Sequence, residues 1–147
     1  MCDNLILFNK NMKNRGTVES IRKDKIITHI DGPFLINMFN SGLRLMESNV
    51  NEVNELNVFP VPDGDTGTNM YLTVQSVTQE LEKLEGDIDL NKVVNIIAKS
   101  ALMGARGNSG VILSQFLGGI SKVFSGNTTI DLNLFIDALE VGAKEAR

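Results

Sequence analysis

"DGDTGTNMYLTVQSVTQELEKL", residues 63–84, carries two kinds of pattern in one run. In its second half Met70, Val74, Val77, Leu81 and Leu84 recur every three or four residues. That is the spacing of one face of an α-helix, not the alternation of a strand. Its first half is a polar turn: Asp63 and Asp65 flank Gly64, and Thr66, Gly67, Thr68 and Asn69 follow. Pro60 and Pro62 stiffen the approach. The helix is expected to start at about Thr68, so the small polar residues lie across its first turn.

The helical period repeats on both sides. Upstream, "DGPF" (residues 31–34) offers a cap and a proline in the first turn, where a missing N–H costs little. Leu35, Met38, Phe39, Gly42, Leu45 and Met46 then share one face of a helix expected to fade near Asn49–Asn51. Downstream, "EGDID" (85–89) separates the second helix from a third built on Leu90, Val93, Val94, Ile97 and Ala101. "GARGNSGV" (104–111) opens a fourth, with Ile112, Phe116, Gly119, Ile120 and Val123. "SGNTTID" (125–131) breaks it, and a fifth starts near Asp131 on Phe135, Ala138, Leu139, Gly142 and Ala146. No strand alternation stands out after residue 31, so the expectation is an all-α chain of about five helices with two informative loops. Met38, Met46, Met70 and Met103 fall mostly at core spacing. Residues 1–29 show weak periodicity and are expected to form a loose N-terminal extension, with at most one short strand or turn around "DKIITHI" (24–30). Residues 30–147 form the folded domain. The last helical pattern is still running at Arg147 with no glycine or asparagine to close it, which fits a frayed terminus or a piece of a longer protein.

The 147 residues suit one domain with a real core. The net charge of −4 argues against a nucleic-acid partner, which needs a basic face to displace counterions. Residues 1–31 hold six Lys or Arg against four acids, which leaves −6 for the remainder; the basic head reads as a solvated tail. Cys2 is the only cysteine, so no disulfide forms within the chain. No apolar run reaches the roughly 18 residues of a membrane span. "NLILF" is too short for a signal-peptide core and lacks a basic lead-in. The expected setting is cytoplasmic, without a transmembrane segment.

The chemistry lies in the two loops. Counting from Asp63, a calcium-binding EF-hand loop would want an oxygen ligand, glycine and glutamate where this chain has Gly67, Thr68 and Val74. No Gly-Lys dipeptide exists for a Walker A loop, and the glycines of "GARGNSG" are not spaced as in a dinucleotide fingerprint. Two carboxylates 4 Å apart repel by about 4 kcal/mol at an effective dielectric of ~20. A bound cation turns that repulsion into attraction, and Mg²⁺ uses one or two carboxylates with water and phosphate completing its shell. Thr66 to Asn69, at a helix start, offer free N–H groups and the positive end of the helix dipole to an anion. A plain turn, with Asp65 or Thr66 capping the helix, is the competing reading. Gly107, Asn108, Ser109 and Gly110 form a second helix start whose small residues admit a phosphate, and Arg106 adds a charge beside it. His29, the single histidine, suits a local surface role, and no serine has a readable histidine partner for a hydrolase triad.

Together "LNVFPVPDGDTGTNM" and "GARGNSGVILSQFLGG" resemble the N-terminal nucleotide-binding domain of the bacterial fatty acid kinase (FakA) family, which is similar to the DhaL subunit of dihydroxyacetone kinase. The resemblance covers roughly Ile30 to Arg147. It implies an antiparallel helical barrel of the DhaL type, incomplete at the C-terminus, with Mg²⁺ and ATP or ADP at one end. Of three family aspartates that hold metal, Asp63 and Asp65 match two; the third place falls on Asn57, after Leu56, in a loop one residue longer, so one or two metals stay open. Thr66, Gly67, Thr68 and Asn69 match the phosphate segment, and Asn108 with Ser109 the second nucleotide loop. The implied reaction is phosphorylation of a fatty acid carboxylate presented by a DegV-family lipid-binding partner. A kinase subunit for dihydroxyacetone or another small polyol, and a non-catalytic helical interaction module, are the alternatives. Apolar faces left uncovered by missing helices would favour a homodimer.

Overall fold

Aspartates open three of the helices. The computed structural model describes residues 27–58 and 62–147. Within them Asp31, Asp89 and Asp131 stand at helix N-caps with extended backbone. Each carboxylate accepts from the N–H three residues on: Phe34 at 2.9 Å, Lys92 at 2.8 Å and Leu134 at 2.8 Å. A cap of this kind satisfies one of the N–H groups that a helix start leaves without a partner. The Lys92 N–H, helped by the charge of that lysine, holds the Asp89 carboxyl below its ordinary value. The three caps start α1 (Gly32–Glu55), α3 (Leu90–Met103) and α5 (Leu132–Glu145). Between them lie α2 (Thr66–Leu81) and α4 (Gly107–Phe124), whose N-cap residues, Asp65 and Arg106, make no side-chain cap. The described chain is all-α, as its periodicity indicates.

Two boundaries differ from expectation. α1 does not fade near Asn49–Asn51 but runs on to Glu55. Its last turns are held by α2: a Cβ on Gly67 would lie 2.5 Å from the Val50 carbonyl oxygen and 3.0 Å from the Val53 Cβ. α2 starts at Thr66 rather than Thr68. Of the stretch 24–30, the described part ends in a single antiparallel bridge, in which Ile30 and Ile130 exchange hydrogen bonds of 2.8 Å. Residues 1–26, most of the expected N-terminal extension, lie outside the described residues, as does Cys2.

Successive helices reverse direction. The Ile30–Ile130 bridge sets the starts of α1 and α5 side by side. A Cβ on Gly32 would come within 3.0–3.1 Å of the backbone of Ile88 and Asp89, so α1 also starts against α3. Asn91 ties α3 to the α4–α5 loop, accepting from the Gly126 N–H at 2.6 Å and donating to the Asn127 carbonyl at 3.3 Å. The starts of α1, α3 and α5 therefore share one end, and the starts of α2 and α4 face the other. Short connections between antiparallel neighbours produce this up-and-down bundle.

The core gathers on α2, α3 and α4, where Val77, Val93 and Ala101 are fully buried and Leu81, Leu90 and Phe124 nearly so. Each such aliphatic or aromatic side chain contributes about 1.5–3 kcal/mol by leaving water. Phe124 stacks on Phe135 of α5 with ring centroids 6.3 Å apart. α1 packs chiefly on α2 and α3, and its backbone makes no close approach to that of α5. Between α1 and the α4–α5 pair an apolar trough of about 260 Å³ remains, with Leu35, Phe39, Phe124 and Phe135 among its walls. The stripes of α1 and α5 are only partly covered: Leu45 is 64% exposed and Leu139 40%. Met103, expected at a core position, is 77% exposed at the end of α3. Among the described residues no helix is long and apolar enough to cross a membrane.

Candidate functional site

The end of the bundle where α2 and α4 start carries every residue that the sequence singled out for ligand chemistry. α1 delivers Asn54 in its last turn, and the chain then bends, the Asn57 N–H donating to the Asn54 carbonyl at 3.1 Å. The side-chain amide of Asn57 donates to Oδ1 of Asp63, so these two predicted residues sit together. Gly64 follows at φ +63, a left-handed conformation that glycine adopts without strain. Pro62, Asp63, Gly64 and Asp65 are all exposed.

Asp65 occupies the N-cap position of α2 at φ −118, ψ 0, and its carboxylate bonds none of the helix N–H groups. Asn54 caps the helix instead. Its Oδ1 accepts from the Thr68 N–H at 3.1 Å, and its Nδ2 donates to the Thr68 hydroxyl at 2.9 Å. None of the described residues accepts from the N–H groups of Thr66 or Gly67.

The second loop meets the first here. Ser109 donates from Oγ to the Thr66 carbonyl at 3.5 Å. The Arg106 N–H donates to Thr73 Oγ1 at 3.2 Å, and that hydroxyl donates in turn to the Asn69 carbonyl at 2.8 Å. Gly107, at φ +56, lies against the Asn69 side-chain amide, leaving no room for a Cβ. The starts of α2 and α4 thus lie side by side and aim the same way, with their dipoles adding at one place.

Individual placements refine the expectations. Thr66, Thr68, Asn69 and Ser109 are half-buried at the junction, and Asn108 is exposed on the first turn of α4. Gly67 is buried against α1, where its lack of a side chain lets the two helices approach. Arg106 borders a groove of about 500 Å³ between α2 and α3, along with Lys99, Glu80 and Asn95. His29 lies away from the site, hydrogen-bonded to Thr28 at 2.9 Å. Asn54 and Thr73 were not singled out from sequence. The only hint of Asn54 is the spacing of Asn51, Asn54 and Asn57 at the end of an apolar helix.

The donor set suits an ion that brings its own ligands. Among the described residues there is no group of three or more His, Cys, Asp or Glu placed to hold a metal. Two exposed carboxylates beside an amide fit Mg²⁺, which keeps several waters and shares phosphate oxygens. Free helix N–H groups next to them suit those phosphates.

The chain belongs to the DAK2 domain family, whose model matches residues 60–147. It is therefore a DhaL-like, kinase-related module, from a family associated with kinase subunits. Protein YloV of Bacillus subtilis is 45% identical over 120 residues, covering 82% of this chain and 22% of that protein. Uncharacterised proteins of Staphylococcus epidermidis and Staphylococcus aureus are 40% and 39% identical over 121 residues, with the same coverage. The chain spans about a fifth of the length of these curated relatives, 22% in each case.

Proposed function

We propose that this domain binds Mg²⁺–ATP and serves a kinase of the fatty acid kinase (FakA) type, passing the γ-phosphoryl group to a fatty acid carboxylate held by a DegV-family partner. The observation that carries the reading is the contrast between the two ends of the bundle. At one end three aspartates close three helix starts. At the other, neither Asp65 nor Arg106 caps its own helix, Asn54 caps α2 from α1 instead, and the Thr66 and Gly67 N–H groups follow directly on Asp65.

In this reading Asp63 and Asp65 hold Mg²⁺, and Asn57 steadies Asp63 and offers its carbonyl oxygen nearby. The ion, when bound, neutralises charge on the β- and γ-phosphates. The N–H groups of Thr66 and Gly67 and the hydroxyls of Thr68 and Ser109 hold phosphate oxygens, with Asn69 and Asn108 at the rim. A carboxylate oxygen of the acceptor attacks the γ-phosphorus, the bond to the ADP oxygen breaks, and an acyl phosphate and ADP leave. No covalent enzyme intermediate is required, because such transfer depends on positioning and charge stabilisation.

Thermal unfolding with and without Mg²⁺–ATP tests the site. Ligand at 100 times its Kd adds about 2.7 kcal/mol of stability. Asp63→Ala and Asp65→Ala are each expected to abolish that gain. No shift at millimolar Mg²⁺–ATP refutes the nucleotide site. ADP release with a lipid-loaded DegV-family protein or with dihydroxyacetone as acceptor decides the substrate, hydroxylamine trapping identifying the acyl phosphate in the first case: turnover of dihydroxyacetone alone would assign the polyol reading.

A further inference from the structure

We infer that Asn54 is a positioning residue for the proposed metal site: it caps α2 from a neighbouring helix and so keeps the Asp65 carboxylate free to meet a cation. The inference rests on the proposed function for the cation and on the chain's own hydrogen bonds for the cap.

The four aspartate N-caps make the comparison. Asp31, Asp89 and Asp131 each bond the N–H three residues on, with ψ at −178, 158 and 179. For Asp65 the equivalent N–H belongs to Thr68, and it is already taken by Oδ1 of Asn54. Asp65 has ψ 0, not the extended backbone of a capping aspartate. The Thr68 N–H also decides which way the Asn54 amide points, since an N–H needs the oxygen. The Asn54 nitrogen then donates to Thr68 Oγ1, which leaves the threonine its own proton to give outward. Gly67 makes the arrangement possible, because a Cβ there would lie 3.0 Å from Asn54 Oδ1. A neutral amide does the capping, and the charged group beside it is spared.

The experiment compares unfolding of the ligand-free chain with Mg²⁺–ATP titration, in wild type, Asn54→Ala, Asp65→Ala, the double variant and Asp89→Ala. Asp65→Ala is expected to leave the ligand-free Tm unchanged, whereas Asp89→Ala lowers it. In Asn54→Ala the vacated Thr68 N–H draws Asp65 into the cap. The Kd for Mg²⁺–ATP then rises at least about tenfold, and adding Asp65→Ala now lowers the Tm further. A merely structural role for Asn54 would lower the Tm without raising the Kd. Two results overturn the inference: a Tm loss in Asp65→Ala equal to that in Asp89→Ala, or an unchanged Kd in Asn54→Ala when Asp65→Ala abolishes binding. If Asn54→Ala does not fold, the single-variant Tm comparison still decides which residue caps α2. A wild-type chain that ignores Mg²⁺–ATP refutes the proposed function instead, and the same Tm comparison tests the cap separately.

Discussion

Replacing Gly107 by alanine probes the place where the two loops meet. The residue sits at φ +56, where an L side chain costs about 1–2 kcal/mol. The usual gain of alanine over glycine in a helix does not offset this, since it applies to residues with helical φ. The new Cβ also collides with the amide of Asn69. That amide is the end of a side chain, and the backbone behind it is pinned by the hydrogen bond from Thr73 Oγ1 to the Asn69 carbonyl. The side chain therefore swings away while α2 stays put, and the stability loss remains near the backbone cost. At roughly 4 °C per kcal/mol, the ligand-free Tm is expected to fall by about 4–8 °C. Mg²⁺–ATP affinity is expected to fall as well, because Asn69 leaves the start of α4. Gly107→Asn separates the two effects: asparagine tolerates left-handed backbone better than alanine, so less stability is lost while Asn69 is displaced as before. Differential scanning calorimetry with nucleotide titration reads both. A Gly107→Ala chain with wild-type Tm and wild-type affinity would refute the meeting of Gly107 and Asn69 described above.

Asp31→Ala and Asp131→Ala are each expected to cost about 1 kcal/mol in chemical denaturation, as lost N-caps do. Asp89 responds to acid in a definite direction. Its folded-state pKa lies below the ordinary 3.8, chiefly through the Lys92 N–H, so its stabilising contribution is complete above that pH and is lost as pH falls through the lower folded value. A Tm advantage of wild type over Asp89→Ala that persists at pH 6 and shrinks below pH 3.8 is the expected result. Neighbouring glycines of α4 should behave oppositely. Gly118 has open space around it, so Gly118→Ala is expected to stabilise by up to about 1 kcal/mol. A Cβ on Gly119 would lie 2.8 Å from the Gly142 Cα where α4 crosses α5, so Gly119→Ala is expected to lose about 1–3 kcal/mol in the same assay.

What the sequence displays is mostly local. Five apolar stripes at helical spacing become five helices, because the stripe that makes a helix amphipathic also gives it a face to bury. The end of α1 was not legible: its last turns, through Val50 and Val53, are held by Gly67 of another helix. Nor does a stripe tell whether anything covers it. Leu45 and Leu139 obey the period yet remain exposed. At the candidate site both loops were recognisable from their small polar residues and paired acids. Whether Asp65 caps its own helix was not, because "DTGT" reads locally as a helix cap much as "DGPF" does. The difference comes from Asn54, on another helix.

The meeting of the two loops follows from the number of helices between them. In an up-and-down bundle each short connection reverses the chain, so helices separated by one other start at the same end. The two polar motifs open α2 and α4, with only α3 between, and parity alone brings them together. Packing then needs to supply only the lateral fit, which Gly107 against Asn69 and Gly110 against Thr73 provide. The same parity sends Asp31, Asp89 and Asp131 to the opposite end, where ordinary capping uses up their charge. One amino-acid type therefore stands in two settings according to which end its helix starts from: at the odd-numbered starts it caps the helix, and at α2, where a neighbour's amide makes the cap, its carboxylate is left free for the ligand of the proposed function.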